Sequence, residues 1–110
     1  MLEELLDEIE ARKAAEEFAR TRTANWDEWD FCLQLIATPA TKGVYGFTYS
    51  PRAKDELGGT IRIGGNWPII VDPDTGACRA VHGVKEMVAL RNPEAGPVRF
   101  HITRAQRRRL

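Results

Sequence analysis

Pro68-Ile69-Ile70-Val71-Asp72-Pro73-Asp74-Thr75-Gly76-Ala77-Cys78-Arg79-Ala80-Val81 is the stretch that decides the fold class. Two short apolar runs flank a segment in which Pro73 presets one backbone angle and Gly76 accepts positive φ at the exit. This is the chemistry of a type I turn closing on a left-handed residue, so Pro68–Val71 and Ala77–Val81 are expected to form an antiparallel hairpin.

Upstream of the hairpin, residues 30–37 alternate, with Phe31, Leu33, Leu35 and Ala37 on one side and Cys32, Gln34 and Ile36 on the other. Val44–Ser50 alternates again, with Tyr45, Phe47 and Tyr49 sharing a face. The Thr38–Gly43 link between them contains Pro39 and Gly43 and reads as a loop short enough to leave the two strands antiparallel. Pro51–Gly59 is polar and glycine-bearing, a second loop, and Thr60–Ile63 has the pattern of a brief strand before Gly64-Gly65. Downstream, Val84, Met87, Val88 and Arg91 have helical spacing and are stopped by Asn92-Pro93. Val98, Phe100 and Ile102 alternate with Arg99 and His101 as a final strand, after which Thr103 is placed to cap a basic last turn.

At the other end, residues 2–21 hold no Gly or Pro and put acids early and bases late, as a helix dipole prefers. At 100° per residue, Leu2, Leu5, Leu6 and Ile9 gather on one face and Ala11, Ala14, Ala15 and Phe18 on nearly the opposite one. One sheet cannot bury both. Either the helix bends or breaks near Ile9–Arg12, or the leucine face meets a second copy, a partner or the chain's own C-terminal segment. The expected fold is α+β: an N-terminal helix packed on a single antiparallel β-sheet of about four to six strands, plus a short helix near 84–91. A chain of 110 residues has material for one core, so residues 1–110 are expected to be one domain: helix over 1–21, sheet with short helix over 30–102, basic tail over 103–110.

The composition, 43% apolar and 29% charged, is that of an ordinary globular protein. No apolar run approaches the roughly 18 residues of a bilayer crossing, and Met1-Leu2-Glu3-Glu4 is acidic where a secretory signal is basic, so a cytoplasmic protein with no membrane partner is expected. Cys32 and Cys78 form no C-x-x-C pair and read as free buried thiols. Net charge is zero but segregated. Residues 1–30 hold ten acids against four bases, and the last twelve residues hold five arginines and no acid. Such a surface steers a charged partner, or neutralises itself if the two ends meet.

Residue patterns for catalysis and cofactors are weak. His82 and His101 are the only histidines and have no companions at zinc spacing, so no metal is expected. The Asp72–Gly76 turn lacks the ligand set of a calcium loop, and neither Gly58-Gly59 nor Gly64-Gly65 belongs to a phosphate-cradling pattern, so no cofactor is expected. Cys32 with a histidine is the one arrangement resembling a nucleophilic enzyme, but its neighbours Phe31 and Leu33 make an apolar setting in which a thiol is inert. No catalytic residue is assigned. One short arginine tail on a neutral chain is too little basic surface for nucleic acid. Trp26-Asp27-Glu28-Trp29-Asp30 is the strongest candidate partner-binding segment: two indoles three residues apart among three carboxylates suit an interface anchor, and equally suit a plug at the end of the core. Leu2, Leu5, Leu6 and Ile9 are the candidate oligomer face.

Tyr45-Gly46-Phe47-Thr48-Tyr49-Ser50, then Gly64-Gly65-Asn66-Trp67-Pro68-Ile69-Ile70-Val71-Asp72, then Thr75-Gly76, resembles the YrhB and immunity-protein-35 family over roughly residues 31–83. That family shows an aromatic-rich strand, a Gly-Asn-x-Pro-hydrophobic-hydrophobic-Val-Asp segment and a Thr-Gly turn in this order. The resemblance implies a helix on an antiparallel sheet and a non-catalytic role, protection of a bacterium by binding a cognate protein toxin. The alternative is a homo-oligomeric accessory or chaperone-like protein that uses the Leu2, Leu5, Leu6 and Ile9 face. The sequence departs from the family pattern after Val81.

Overall fold

The computed structural model describes residues 5–54, 56–59 and 67–100. Along the chain run α1 (Glu8–Arg22), β1 (Phe31–Ala37), α2 (Pro39–Lys42), β2 (Tyr45–Pro51), β3 (Ile69–Val71), β4 (Cys78–Ala80) and α3 (Val84–Arg91). The strands form one antiparallel sheet in the order β1-β2-β3-β4. With a helix on it at the N-terminal side and a short helix at 84–91, the architecture is the expected α+β class. The expected strand at Thr60–Ile63, and with it Ile102, Thr103 and the arginine tail, lies outside the described residues.

α1 begins at Glu8, six residues later than its composition predicts, because Asp7 intercepts it. The Asp7 carboxylate accepts from the Glu10 N–H at 2.8 Å and the Glu10 carboxylate accepts from the Asp7 N–H at 3.2 Å. This reciprocal box satisfies orphan donors of the first turn, a contribution of about 0.5–2 kcal/mol. Leu5 and Leu6 therefore precede the helix. The Leu6 N–H donates to Pro73 O, and the Leu6 carbonyl accepts from the Tyr45 hydroxyl at 2.8 Å. Only one helical face is then left to bury. Ala11, Ala15 and Ala19, one per turn, are fully buried and let α1 lie close on β2, β3 and β4 against Tyr45, Phe47, Ile69 and Val71.

The hairpin forms as its turn residues dictate. Asp72 accepts from the Asp74 N–H and the Thr75 hydroxyl, its carbonyl accepts from the Gly76 N–H, and Gly76 has φ 79°. Ile69 and Val71 face α1 while Ile70 faces α3, so all three β3 residues are buried, which is why this strand reads as a continuous apolar run. The Thr38–Gly43 link is more ordered than a loop. Pro39 opens a single helical turn, α2, and Gly43 closes it with φ 77°.

Three further details differ from the sequence reading. A bulge between Leu35 and Ala37 breaks the strand's alternation, so Ala37 joins Ile36 on the α3 side instead of sharing a face with Phe31, Leu33 and Leu35. α3 spans the expected residues but turns Leu90 and Met87 inward, leaving Val84 and Val88 exposed. Val98 and Phe100 are irregular, not strand, because side chains and the end of α2 take the backbone groups of this segment. The Val98 N–H donates to Lys42 O, and the Arg79 guanidinium takes the carbonyls of Arg99 and Phe100.

Gly46 sets how close α3 comes to the sheet. A Cβ there would stand 3.0 Å from Leu90 Cδ2 and 3.1 Å from Ala37 Cβ. Glycine in a strand interior normally gains stability on replacement by alanine, yet here Gly46→Ala is expected to cost about 1–3 kcal/mol through overpacking. Urea unfolding measures it; an unchanged or raised midpoint would contradict this packing.

Candidate interaction surface

The segment between α1 and β1 is a sequence of turns, with Asn25 and Asp30 in positive φ (63° and 49°), conformations that Asn and Asp tolerate better than most residues. These turns swing Trp26 back under the sheet end. Trp26 is 7% exposed, stacks on Phe31 with ring centroids 5.1 Å apart, and is tilted against Tyr49 at 6.1 Å. Trp29 is half-buried, 6.2 Å from Phe31 on a nearly parallel plane. The two indoles cap the core where α1 gives way to β1, so Trp26 offers no surface to a partner. Asp27, Glu28 and Asp30 are exposed around them.

Arg20 ties these carboxylates to the helix. It donates to both Asp27 oxygens at 3.1 Å and to Glu16 at 3.2 Å, and its guanidinium lies 5.6 Å from the Trp26 ring centroid. The hydrogen bond and charge of Arg20 hold Asp27 below the usual carboxylate range. α1 and the 24–30 turns thus present one acidic surface. Glu8 bridges Arg12 and Asp30 bridges Arg52, whereas Glu17 and Glu28 have no ion-pair partner among the described residues.

The leucine face does not exist as a helical stripe. Leu2 lies outside the described residues. Leu6 is half-buried near Gly76, while Leu5 is 53% and Ile9 71% exposed on either side of the Asp7 cap. The first two described members precede the helix, so the 100° spacing of a helical face does not relate them to Ile9.

Two cations, Lys42 buried and Arg79 half-buried, escaped the sequence reading. Lys42, 4% exposed, sends its ammonium into backbone: Nζ is 2.7 Å from Ala89 O, 2.5 Å from Asn92 O, 2.8 Å from Ala95 O and 3.5 Å from Gly96 O. It occupies the negative end of α3 and the turn beyond it. On the other side of α3, Arg79 makes a two-pronged bond to Glu86 at 2.7 and 2.9 Å while holding the Phe100 and Arg99 carbonyls at 2.6 and 2.7 Å. Burial alone would raise the Glu86 pKa, but the bonds from Arg79 and the His82 N–H, with the Arg79 charge, outweigh it and leave the group below its ordinary 4.5. A carboxylate lowered by folding adds stability that is complete above its unfolded pKa and is lost as pH falls toward the folded one. Stability is therefore expected to drop as pH falls below about 4.5, and Glu86→Gln to flatten that part of the profile, measured by thermal unfolding across acidic pH.

Cys32 and Cys78 are both free and half-buried, and burial, with the Glu17 charge, pushes the Cys78 thiol up to about 11. Cys32 sits on β1 and exposed His82 follows β4, at opposite edges of the sheet, so the fold does not bring them together; His101 lies outside the described residues. Among the described residues no three His, Cys, Asp or Glu side chains are grouped to hold a metal ion. No described helix is long and apolar enough to cross a membrane. An open recess of about 510 Å³ lies between Gly43, the hairpin turn and Val98–Phe100, and the Asp72 carboxylate in its wall is tied into that turn. No family model, curated protein or solved structure matches the chain.

Proposed function

We propose that this protein is a non-catalytic binding protein, an immunity protein that neutralises a cognate bacterial toxin by covering a basic surface of it. The observation that carries the reading is the set of exposed carboxylates on α1 and the 24–30 turns, elements that Arg20 joins through Glu16 and Asp27, with Glu17 and Glu28 lacking an ion-pair partner among the described residues. Exposed carboxylates without an internal cation stay hydrated until a partner's cation displaces the water, which favours fast capture of a basic partner. The family resemblance of residues 31–83 supplies the partner class.

Co-expression with the toxin encoded beside this gene tests the proposal. Growth is expected to be rescued, and the double variant Glu17→Lys/Glu28→Lys is expected to lose rescue while unfolding at the parent's temperature. Toxicity undiminished by the parent protein would refute it.

A further inference from the structure

The two edges of the sheet are unlike. β4 is three residues long and carries Arg79, the kind of edge that resists pairing with another chain. β1 is seven residues long, Phe31-Cys32-Leu33-Gln34-Leu35-Ile36-Ala37, and has neither charge nor proline. Among the described residues it pairs only with β2, and α1 packs chiefly over the other three strands, so Leu33 and Leu35 stay half-buried.

Which backbone groups face outward follows from two bonds. The Phe31 N–H donates to Trp26 O, and Leu33 O accepts from Arg12 Nη1 at 2.9 Å, both away from β2. N–H and C=O of one strand residue point the same way and alternate along the strand, so Phe31, Leu33 and Leu35 carry the outward groups. Pro51 lies opposite Phe31, in a position of the β1–β2 ladder where its missing N–H costs nothing. The outward edge thus offers Leu33 and Leu35 to a further strand, with Arg12 as its one guard.

The geometry points to a second copy of this chain as the occupant, paired antiparallel through β1 with Gln34 on the two-fold axis. In that register Leu33 of one copy meets Leu35 of the other as a hydrogen-bonded pair, and each Leu33 carbonyl exchanges the Arg12 guanidinium for a backbone N–H. Gln34, exposed on the face away from α1, meets Gln34. The edge is self-complementary, as a two-fold interface requires: apolar meets apolar, amide meets amide, and no charge is buried. The chain's zero net charge adds no repulsion between copies. The result joins the four described strands of each copy into one continuous sheet, and its test by self-association is separate from that of the toxin-binding proposal.

Sedimentation velocity over a concentration series tests it, together with a single-cysteine crosslink. Gln34 residues at a non-hydrogen-bonded antiparallel position would have Cα atoms about 4.5 Å apart, within disulfide range. Cys32→Ser/Cys78→Ser/Gln34→Cys is expected to form a covalent dimer on mild oxidation, and Gln34→Lys to weaken self-association about tenfold or more by facing two ammonium groups. Arg12→Ala is expected to strengthen it by removing the guard. Circular dichroism and thermal unfolding of each variant verify that it folds like the parent. A parent that sediments as a monomer throughout overturns the inference. So does a dimer that Gln34→Lys leaves intact and Gln34→Cys fails to crosslink, since its contact then lies elsewhere.

Discussion

Lys42→Met is expected to destabilise the protein by about 2–4 kcal/mol, equivalent to a fall of roughly 10–20 °C in Tm for a domain of this size. Methionine keeps the length and apolar stem of lysine but removes every donor. The carbonyls of Ala89, Asn92 and Ala95 lose their shared partner, and the end of α3 loses the positive charge that offsets its dipole. Each unpaired carbonyl costs about 1–3 kcal/mol when water cannot reach it. The total stays below their sum because the Asn92 carbonyl keeps the Ala95 N–H at 3.1 Å and Asn92 is exposed. Lys42→Arg is not expected to restore stability, since a planar guanidinium cannot direct its donors to converging carbonyls as a tetrahedral ammonium does. Urea unfolding of the two variants checks both statements, and a loss below about 1 kcal/mol for Lys42→Met would mean the ammonium is incidental.

Trp26→Ala is expected to cost about 3–5 kcal/mol, as removal of a large buried aromatic does. The loss comprises the stack on Phe31, the contact with Tyr49 and the seat of the Arg20 guanidinium, which also anchors Asp27 and Glu16. Trp29→Ala, at a half-buried position with one stacking partner, is expected to cost about 1 kcal/mol. Chemical denaturation of the two single variants distinguishes a core plug from an anchor. Equal, small losses for both would place the indoles at the surface and contradict the packing. Because Trp26→Ala also unsettles the acidic turns, any loss of the proposed toxin binding in that variant would be indirect, and the carboxylate variants are the ones that test the proposal.

The elements best legible in the sequence are those whose signals are local. Asp72, Pro73 and Gly76 specify a turn by their own backbone and side-chain chemistry, and Asn92-Pro93 stops α3 without help from any other part of the chain. The start of α1 was also written locally, in Asp7-x-x-Glu10. It is hidden inside a leucine-rich run free of Gly and Pro, where composition argues for continuous helix and capping argues for a break; capping wins because it satisfies backbone donors directly. Features that depend on distant contacts are not legible. The bulge at Ile36 and the bare Gly46 serve the approach of Leu90, more than forty residues away, and nothing near Lys42 announces that the end of α3 will arrive beside it. In the 26–30 segment the exposure of the carboxylates follows from their charge, whereas the partition of the indoles between core and surface does not, since a Trp-x-x-Trp spacing fits either.

The segment after α3 is held by the side chains of Lys42 and Arg79, by one backbone bond from Val98 and by the packing of Val98, and among the described residues by no strand pairing. Tethers made of side chains let go singly, whereas a ladder of peptide groups opens only with its neighbours. Hydrogen–deuterium exchange should therefore divide the molecule into two tempos, slow for the amides of Gly46 and Ile70 deep in the sheet and fast for those of residues 94–100. Among the described residues, a protease is expected to cut there before it cuts the sheet.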